Sequence, residues 1–234
     1  MIMKGQTVAV TGASGNLGRA VADAFQQCGA NLVLIDRDQQ RLEKAFGVGN
    51  SQRMLVAVDL QQSEQTAAAV NAALTRFARI DVLCNLAGGF RIGPPVHLTP
   101  QADWDFLYGS NMRSMLNAVR AVVPGMIEND RGKIVNVGAN AALKGIAGMG
   151  AYCASKDAVI RLTESMAAEL RSHHVNVNCV LPGTLDTPEN RAAMPDADTS
   201  VWVGTDALAE VILFLASDRS RAINGAAIPV TGGS

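Results

Sequence analysis

The sequence predicts a doubly wound α/β fold: a parallel sheet with helices on both faces. Two observations carry this. Short, β-branched apolar runs alternate with longer stretches of helical periodicity. Several of the short runs are apolar almost throughout, as strands covered on both faces are. No linker-like stretch divides the 234 residues, so one domain spanning 1–234 is expected.

In order, Thr7-Val8-Ala9-Val10-Thr11 reads as the first strand, followed by a glycine-rich turn and an amphipathic helix near 17–28. Asn31–Ile35 and Met54–Val58 are the next strands, separated by a helix near 38–46. A helix near 63–77 leads to the strand Val82–Leu86. A long helical stretch, 101–128, precedes Lys133–Val137, and another, 150–172, precedes Val175–Val180. The segment 183–203, rich in Pro, Asp, Thr and Asn, is the only long irregular one and is expected to be a lid or substrate loop. A helix near 205–217 and a last strand, Ala227–Val230, close the chain, with Pro229 pointing to a sheet edge.

Apolar residues make up 48% and charged residues 18%, enough for a sizeable core. A net charge of −1 gives no reason to expect nucleic acid or an anionic membrane as a partner. No apolar run approaches the ~20 residues of a membrane span. Met1 to Gln6 runs into the first strand without the charged and apolar regions of a signal peptide, so a cytoplasmic protein is expected. Cys28, Cys84, Cys153 and Cys179 are scattered and lie in or beside apolar segments, as buried thiols of a reducing compartment do. His97 falls in a turn, and His173 and His174 close a helix with no third ligand nearby, so no metal site is expected.

Three local features carry chemistry. Tyr152 and Lys156, four residues apart, share a helix face, and a close cation would lower the phenol's pKa toward acid/base use. Thr11-Gly12-Ala13-Ser14-Gly15-Asn16-Leu17-Gly18 sits between strand and helix, where glycines let the backbone approach a pyrophosphate and helix amides meet its charge. Its Gly-x-x-x-Gly-x-Gly spacing departs from the commoner Gly-x-Gly-x-x-Gly. Asp36, at the second strand's end, can accept bonds from both adenosine ribose hydroxyls and would repel a 2′-phosphate, favouring NAD(H). Arg37 either accommodates such a phosphate, keeping NADP(H) open, or is solvated at the start of the next helix. Asp59 lies beside the adenine or caps its strand end.

With these residues, Asp59-Leu60, Asn85-Leu86-Ala87-Gly88, Asn111, Pro182-Gly183 and the glycines from Gly225 to Gly233, the whole chain resembles the short-chain dehydrogenase/reductase family. The resemblance implies a Rossmann-like single domain with seven parallel strands ordered 3-2-1-4-5-6-7. It implies Tyr152 as proton donor or acceptor and Lys156 as the group that binds the nicotinamide ribose and lowers the tyrosine pKa. Asn111 would hold a relay water, and Thr187 would contact the nicotinamide carboxamide. A small-molecule substrate is implied, as is a homodimer or homotetramer through 101–128 and 150–172.

One position departs from the family. Where it carries a serine that polarises the substrate carbonyl, this chain has Ala139, and losing one such donor typically costs about 10²–10³ in rate. Asn140 would have to turn inward to replace it. Ala87-Gly88-Gly89-Phe90, Gly138–Leu143 and Thr184–Arg191, continuing through Met194–Asp198 to Trp202, are similar to the quinonoid dihydropteridine reductase branch, where alanine is normal. The expected reaction is therefore hydride transfer to a conjugated, quinonoid or pteridine-like acceptor, with Phe90, Ala139, Asn140 and Trp202 near the substrate. Trp202 would close over a planar substrate or pack the loop base. An ordinary carbonyl or 3-oxoacyl-type reductase or alcohol dehydrogenase, and a non-catalytic dinucleotide-binding scaffold or sensor, are the alternatives.

Overall fold

The structure, a computed structural model, describes residues 3–233; Met1, Ile2 and Ser234, the ends of the expected domain, lie outside the described residues. The strands are β1 (Thr7–Thr11), β2 (Asn31–Asp36), β3 (Arg53–Ala57), β4 (Val82–Asn85), β5 (Gly132–Val137), β6 (Val175–Pro182), β7 (Leu185–Asp186), β8 (Val203–Gly204) and β9 (Ala227–Val230). The helices are α1 (Asn16–Gln27), α2 (Gln39–Phe46), α3 (Ser63–Phe77), α4 (Gln101–Tyr108), α5 (Ser114–Glu128), α6 (Gly150–Glu169), α7 (Pro188–Ala193) and α8 (Thr205–Ala216).

Seven strands form one parallel sheet in the order β3-β2-β1-β4-β5-β6-β9. This is the expected order, its last strand being β9 because two miniature strands precede it in the chain. Every residue of the central strands β1 and β4 is buried, which is why both read as unbroken apolar or small runs. The edge strand β9 carries the exposed Pro229, whose missing N–H costs no ladder bond there.

Alternation along the strands divides the core in two. Ala9, Val33, Leu83 and Ile134 pack with α3, α5 and α6 on one face. Val8, Val10, Leu34 and Cys84 pack with α1 and α8 on the other. β1 pairs with both β2 and β4, so the chain reverses direction of winding between them and leaves a crevice at their C-terminal ends. The Thr11 hydroxyl braces that crevice by accepting bonds from the Leu86 and Ala87 amides, at 3.0 and 3.1 Å.

Two expectations need correction. The helical stretch 101–128 is interrupted by a π-helical turn at Gly109–Arg113, whose buried residues are Gly109 and Asn111; the helical pattern on either side gives no sign of the change in hydrogen bonding. The 183–203 segment is not irregular throughout: β7 and β8 pair at its base, Leu185 with Val203, and Thr187 caps α7 by accepting from the Asn190 amide. No helix among the described residues is long and apolar enough to cross a membrane.

The glycines of the first turn are required by close approach. A Cβ on Gly18 would stand 2.6 Å from the Ala13 carbonyl oxygen, and one on Gly12, which has φ +65°, would stand 2.9 Å from the Ala87 Cα. Gly18→Ala is therefore expected to cost about 1–3 kcal/mol through overpacking against backbone that cannot yield. Urea denaturation of the variant checks this, and an unchanged midpoint would contradict the packing argument.

Candidate active site

The crevice begins with the glycine loop. Gly15 precedes α1 in an extended conformation, so the first amides of the helix open toward the crevice. Asp36, half-buried at the end of β2, ties that loop down: its carboxylate accepts from the Ser14 amide at 3.0 Å, the Ser14 hydroxyl at 2.6 Å and the Arg37 amide at 2.8 Å. A carboxylate offers about four acceptor positions; Ser14 fills both on Oδ2, and Oδ1 retains one for a further donor. The Arg37 side chain is exposed. Asp59 accepts from the Gln61 amide at 3.0 Å, the turn-capping arrangement. Leu60 is buried in the core, and its carbonyl accepts from Asn117.

The segment after β4 forms the floor. Asn85 donates to Asn136, which donates to Thr163, while Asn85 Oδ1 is buried without a partner among the described residues. Gly88 leaves a gap that a side chain would fill: a Cβ there would meet Asn111 Oδ1 at 2.7 Å and Lys156 Nζ at 3.3 Å.

Asn111 lies in the π-helical turn and is buried. Its Oδ1 accepts from the Gly89 amide at 2.7 Å, and its Nδ2 donates to the Gly89 carbonyl at 3.1 Å and to the Ser155 hydroxyl at 2.9 Å. The side chain expected to hold a water is thus engaged by protein at both ends, clamping the Gly89 peptide against α6.

Tyr152 and Lys156 occupy one face of α6, but the ammonium does not turn to the phenol. Lys156 Nζ donates to the Val137 carbonyl at 2.8 Å, and burial lowers its pKa to about 8. Burial likewise pushes the Tyr152 phenol up to about 12. This corrects the expectation of a phenol pKa depressed by Lys156: desolvation outweighs a cation committed elsewhere. Tyr152 is consequently a protonated acid across neutral pH. The Phe90 ring, itself 55% exposed, covers it edge-on at a centroid distance of 4.8 Å.

Ala139 is buried with extended backbone at the end of β5, and Asn140 opens a short 3-10 turn, half-buried. Thr187 is buried at the start of α7. Pro182 ends β6, and the Gly183 amide donates to Val230. Trp202 is half-buried at the loop base, where its carbonyl lies against Gly232. Arg91 pairs with Asp103 and stacks 4.0 Å over Phe106, on the side of a small recess that Tyr152 also lines.

Tyr152, Lys156, Asn111 and Gly88 are therefore brought together, with Phe90 over the phenol; Asp59, Leu60 and Trp202 are engaged in capping, core packing and the loop base. Sequence reasoning gave no role to four residues that make contacts here: Ser155, Val137, Thr11 and Glu189. Ser155 was legible in principle, since three residues past Tyr152 it shares the helix face. Glu189 accepts from Asn16 at 2.6 Å, joining α7 to the glycine loop across 173 residues of sequence, and nothing local announces that.

The fit of a dinucleotide can be judged from the backbone alone. Gly12 and Gly18 let the turn close tightly on its own backbone and on Ala87, and Gly88 makes room for Asn111 and Lys156, so the crevice runs from the helix amides at one end to the Tyr152–Lys156 face at the other. Asp36 lies at the remaining end, beside the loop. The donor set suits a phosphate and ribose-bearing ligand. No cluster of three or more metal-ligating side chains occurs among the described residues.

Comparison with known proteins agrees with this geometry. Residues 6–198 match the family model described as short chain dehydrogenase. The chain is 34% identical to 2-(S)-hydroxypropyl-CoM dehydrogenase 3 of Xanthobacter autotrophicus, covering 99% of this chain and 97% of that protein. It is 32% identical to a 3-oxoacyl-(acyl-carrier-protein) reductase of Thermotoga maritima, covering 100% and 99%. Its structure superposes on NAD+-bound xylitol dehydrogenase with a TM-score of 0.91 and 28% identity, over 100% of both chains.

The buried ammonium has a measurable consequence. Below about pH 8 both folded and unfolded chains hold the Lys156 proton, and the folded state bears the cost of burying it. Between about 8 and the ordinary 10.5 the unfolded chain binds more proton, so stability from this group rises with pH. The stability of the wild type relative to Lys156→Met, from urea denaturation without nucleotide, should climb through that window. A difference independent of pH would refute the assignment.

Proposed function

This chain belongs to the short-chain dehydrogenase family of oxidoreductases, and from that premise we propose that it interconverts a small alcohol and its carbonyl compound using NAD(H). The observation that carries the proposal is the half-buried Tyr152 phenol, on the helix that also carries Lys156 and meets Asn111 through Ser155, with Phe90 edge-on over it. The named relatives, two dehydrogenases and a 3-oxoacyl reductase, favour alcohol and carbonyl chemistry over a pteridine-like acceptor.

In this reading the glycine loop, with Gly12, Ser14, Gly15, Asn16, Leu17 and Gly18, holds the pyrophosphate. Asp36 receives the adenosine ribose, and its negative charge favours NAD(H) over NADP(H). Asp59 and Leu60 border the adenine, while Asn85, Ala87, Gly88, Pro182, Gly183 and Thr187 line the nicotinamide half. When bound, the cofactor supplies or accepts the hydride at the substrate carbon. Tyr152 gives its phenolic proton to the carbonyl oxygen in reduction and takes the hydroxyl proton in oxidation. Lys156 binds the ribose and offers a charge that the phenolate, once formed, can draw on. Asn111, clamped to Gly89 and Ser155, fixes the distance between the floor and α6.

Ala139 limits the acceptor. A methyl donates nothing to a developing alkoxide, so the substrate carbonyl must be activated by its own conjugation or by an adjacent electron-withdrawing group. Phe90 at 55% exposure and Leu143 at 56% supply an apolar rim. A quinonoid or pteridine-like acceptor is the second reading, and Ala139 is the observation that favours it. The chain would act as one domain, a cytoplasmic homodimer or homotetramer, consistent with four free thiols, three of them buried.

Tyr152→Phe should abolish turnover while NADH affinity stays nearly unchanged by fluorescence titration; retained turnover would exclude the mechanism. Ala139→Ser should raise kcat toward unactivated ketones by about 10²-fold or more, the magnitude of one restored donor. Its rate with the preferred acceptor should move little, and assays across conjugated carbonyls, simple ketones, quinones and quinonoid dihydropterin measure both. Turnover of the dihydropterin alone would select the second reading.

A further inference from the structure

The opposite edge of the sheet, where the strands begin, contains a cavity of about 620 Å³ that shares no residue with the catalytic crevice. It opens beneath the starts of β4, β5 and β6, against the ends of α6 and α8. Its volume lies in the range of small-molecule sites. Arg131, Lys133, Arg171 and Arg221 line it together with His174, against the two carboxylates of Asp81 and Asp218.

Those carboxylates offset only part of the positive charge, Asp218 acting chiefly on Lys133. Asp81 is claimed from outside: it accepts from the Thr7 amide at 2.8 Å and pairs with Arg79 at 2.9 Å, with Arg131 4.0 Å away. His174 is paired with Asp130 at 2.9 Å. Arg171 and Arg221 have no carboxylate partner among the described residues. Lys133 is half-buried and donates only to the neutral Asn176 amide oxygen, at 2.6 Å.

Basic residues often collect at helix C-termini to meet the dipole, and α5, α6 and α8 all end here. That explanation does not use these guanidinium groups, because the terminal carbonyls are met by other donors. The Ser217 and Ser220 hydroxyls donate to Phe214 and Leu215 at 2.7 and 2.9 Å. The Asn129 amide donates to Gly125 at 2.6 Å, and the His173 backbone amide to Leu170 at 3.0 Å. The cavity floor is also fixed in advance: Asn176 donates to the Arg221 and Ile223 carbonyls, and Asn224 donates to Ala167.

We infer that this basal cavity is a second ligand site, for a small polyanion bearing phosphate groups. Planar guanidinium forks match phosphate oxygens two at a time, and an ammonium adds a point charge between them. Burial, and to a lesser degree Arg131, hold the Lys133 pKa below its ordinary value against the opposing pull of Asp218, a penalty that an anion would relieve further.

Isothermal titration of the full chain with inorganic pyrophosphate, at ionic strength held constant with KCl, tests this. Saturable binding is expected, weakened about tenfold or more in Arg171→Gln/Arg221→Gln, with saturating NADH displacing none of it. Both arginines are exposed and outside the crevice, so the variant should fold and bind NADH as the wild type does. Arg171→Lys/Arg221→Lys should recover part of the affinity by restoring charge. Absence of saturable binding, an unchanged affinity in the glutamine variant, or displacement by NADH would each overturn the proposal. Citrate binding more tightly than pyrophosphate would overturn the phosphate assignment.

Discussion

A lysine ammonium closed off from water must be met by a fixed acceptor, and meeting that of Lys156 organises the catalytic crevice. The acceptor is the Val137 carbonyl at the end of β5, reached at 2.8 Å. For that contact to exist, β5 must stand between β4 and β6, and α6 must lie across its end. The floor opposite must also be bare, which Gly88 provides by leaving Nζ the space a Cβ would take. Asn111 then packs against the same glycine and is held by Ser155 from the next turn of α6. Sheet order, a glycine, a π-helical turn and a serine thus converge on one buried charge. Burying such a group unpaired would be far more costly than any of these local concessions.

The same burial decides what Tyr152 can do. A half-buried phenol, with Phe90 edge-on over it and the ammonium committed to the Val137 carbonyl, keeps its proton. It is well placed to give one up and poorly placed to take one until a charge comes closer. Ala139 beside it withdraws the second donor that an ordinary carbonyl would use. In the function proposed above, acid strength is then low and no second donor polarises the carbonyl, so the burden of activation would move to the acceptor itself. That reading reconciles alcohol–carbonyl chemistry with a proposed preference for conjugated substrates.

The fold was legible in the sequence because buried parallel strands are nearly all apolar, and seven such runs separated by helices leave few alternatives. Tyr152, Lys156, Asp36 and the glycine loop stand out as candidates because each is a residue type at a spacing set by one local element. What escaped were features fixed by distant contacts. The direction of the Tyr152 shift depends on where Lys156 points, which is set by β5 and not by helix spacing. The π-helical turn at Gly109–Arg113 turns Gly109 and Asn111 inward between two helices of ordinary periodicity, which mark no break in the sequence. The Glu189–Asn16 bond, and the β7–β8 pair that makes a lobe of an apparently irregular loop, join segments whose proximity only the sheet creates.

A parallel sheet also makes its two edges chemically unlike. Every strand ends on the same edge, so loops and helix N-termini gather there, and anionic cofactor groups are met by amides. The other edge gathers helix C-termini, whose free carbonyls call for donors. Here serine and asparagine side chains and turn amides answer that need locally, within a few residues of each helix end. Arginines placed on the same edge are then in excess of what the helices require. A charge surplus that the fold does not consume, around a cavity whose floor is already hydrogen-bonded, is the condition under which a surface recess becomes a binding site.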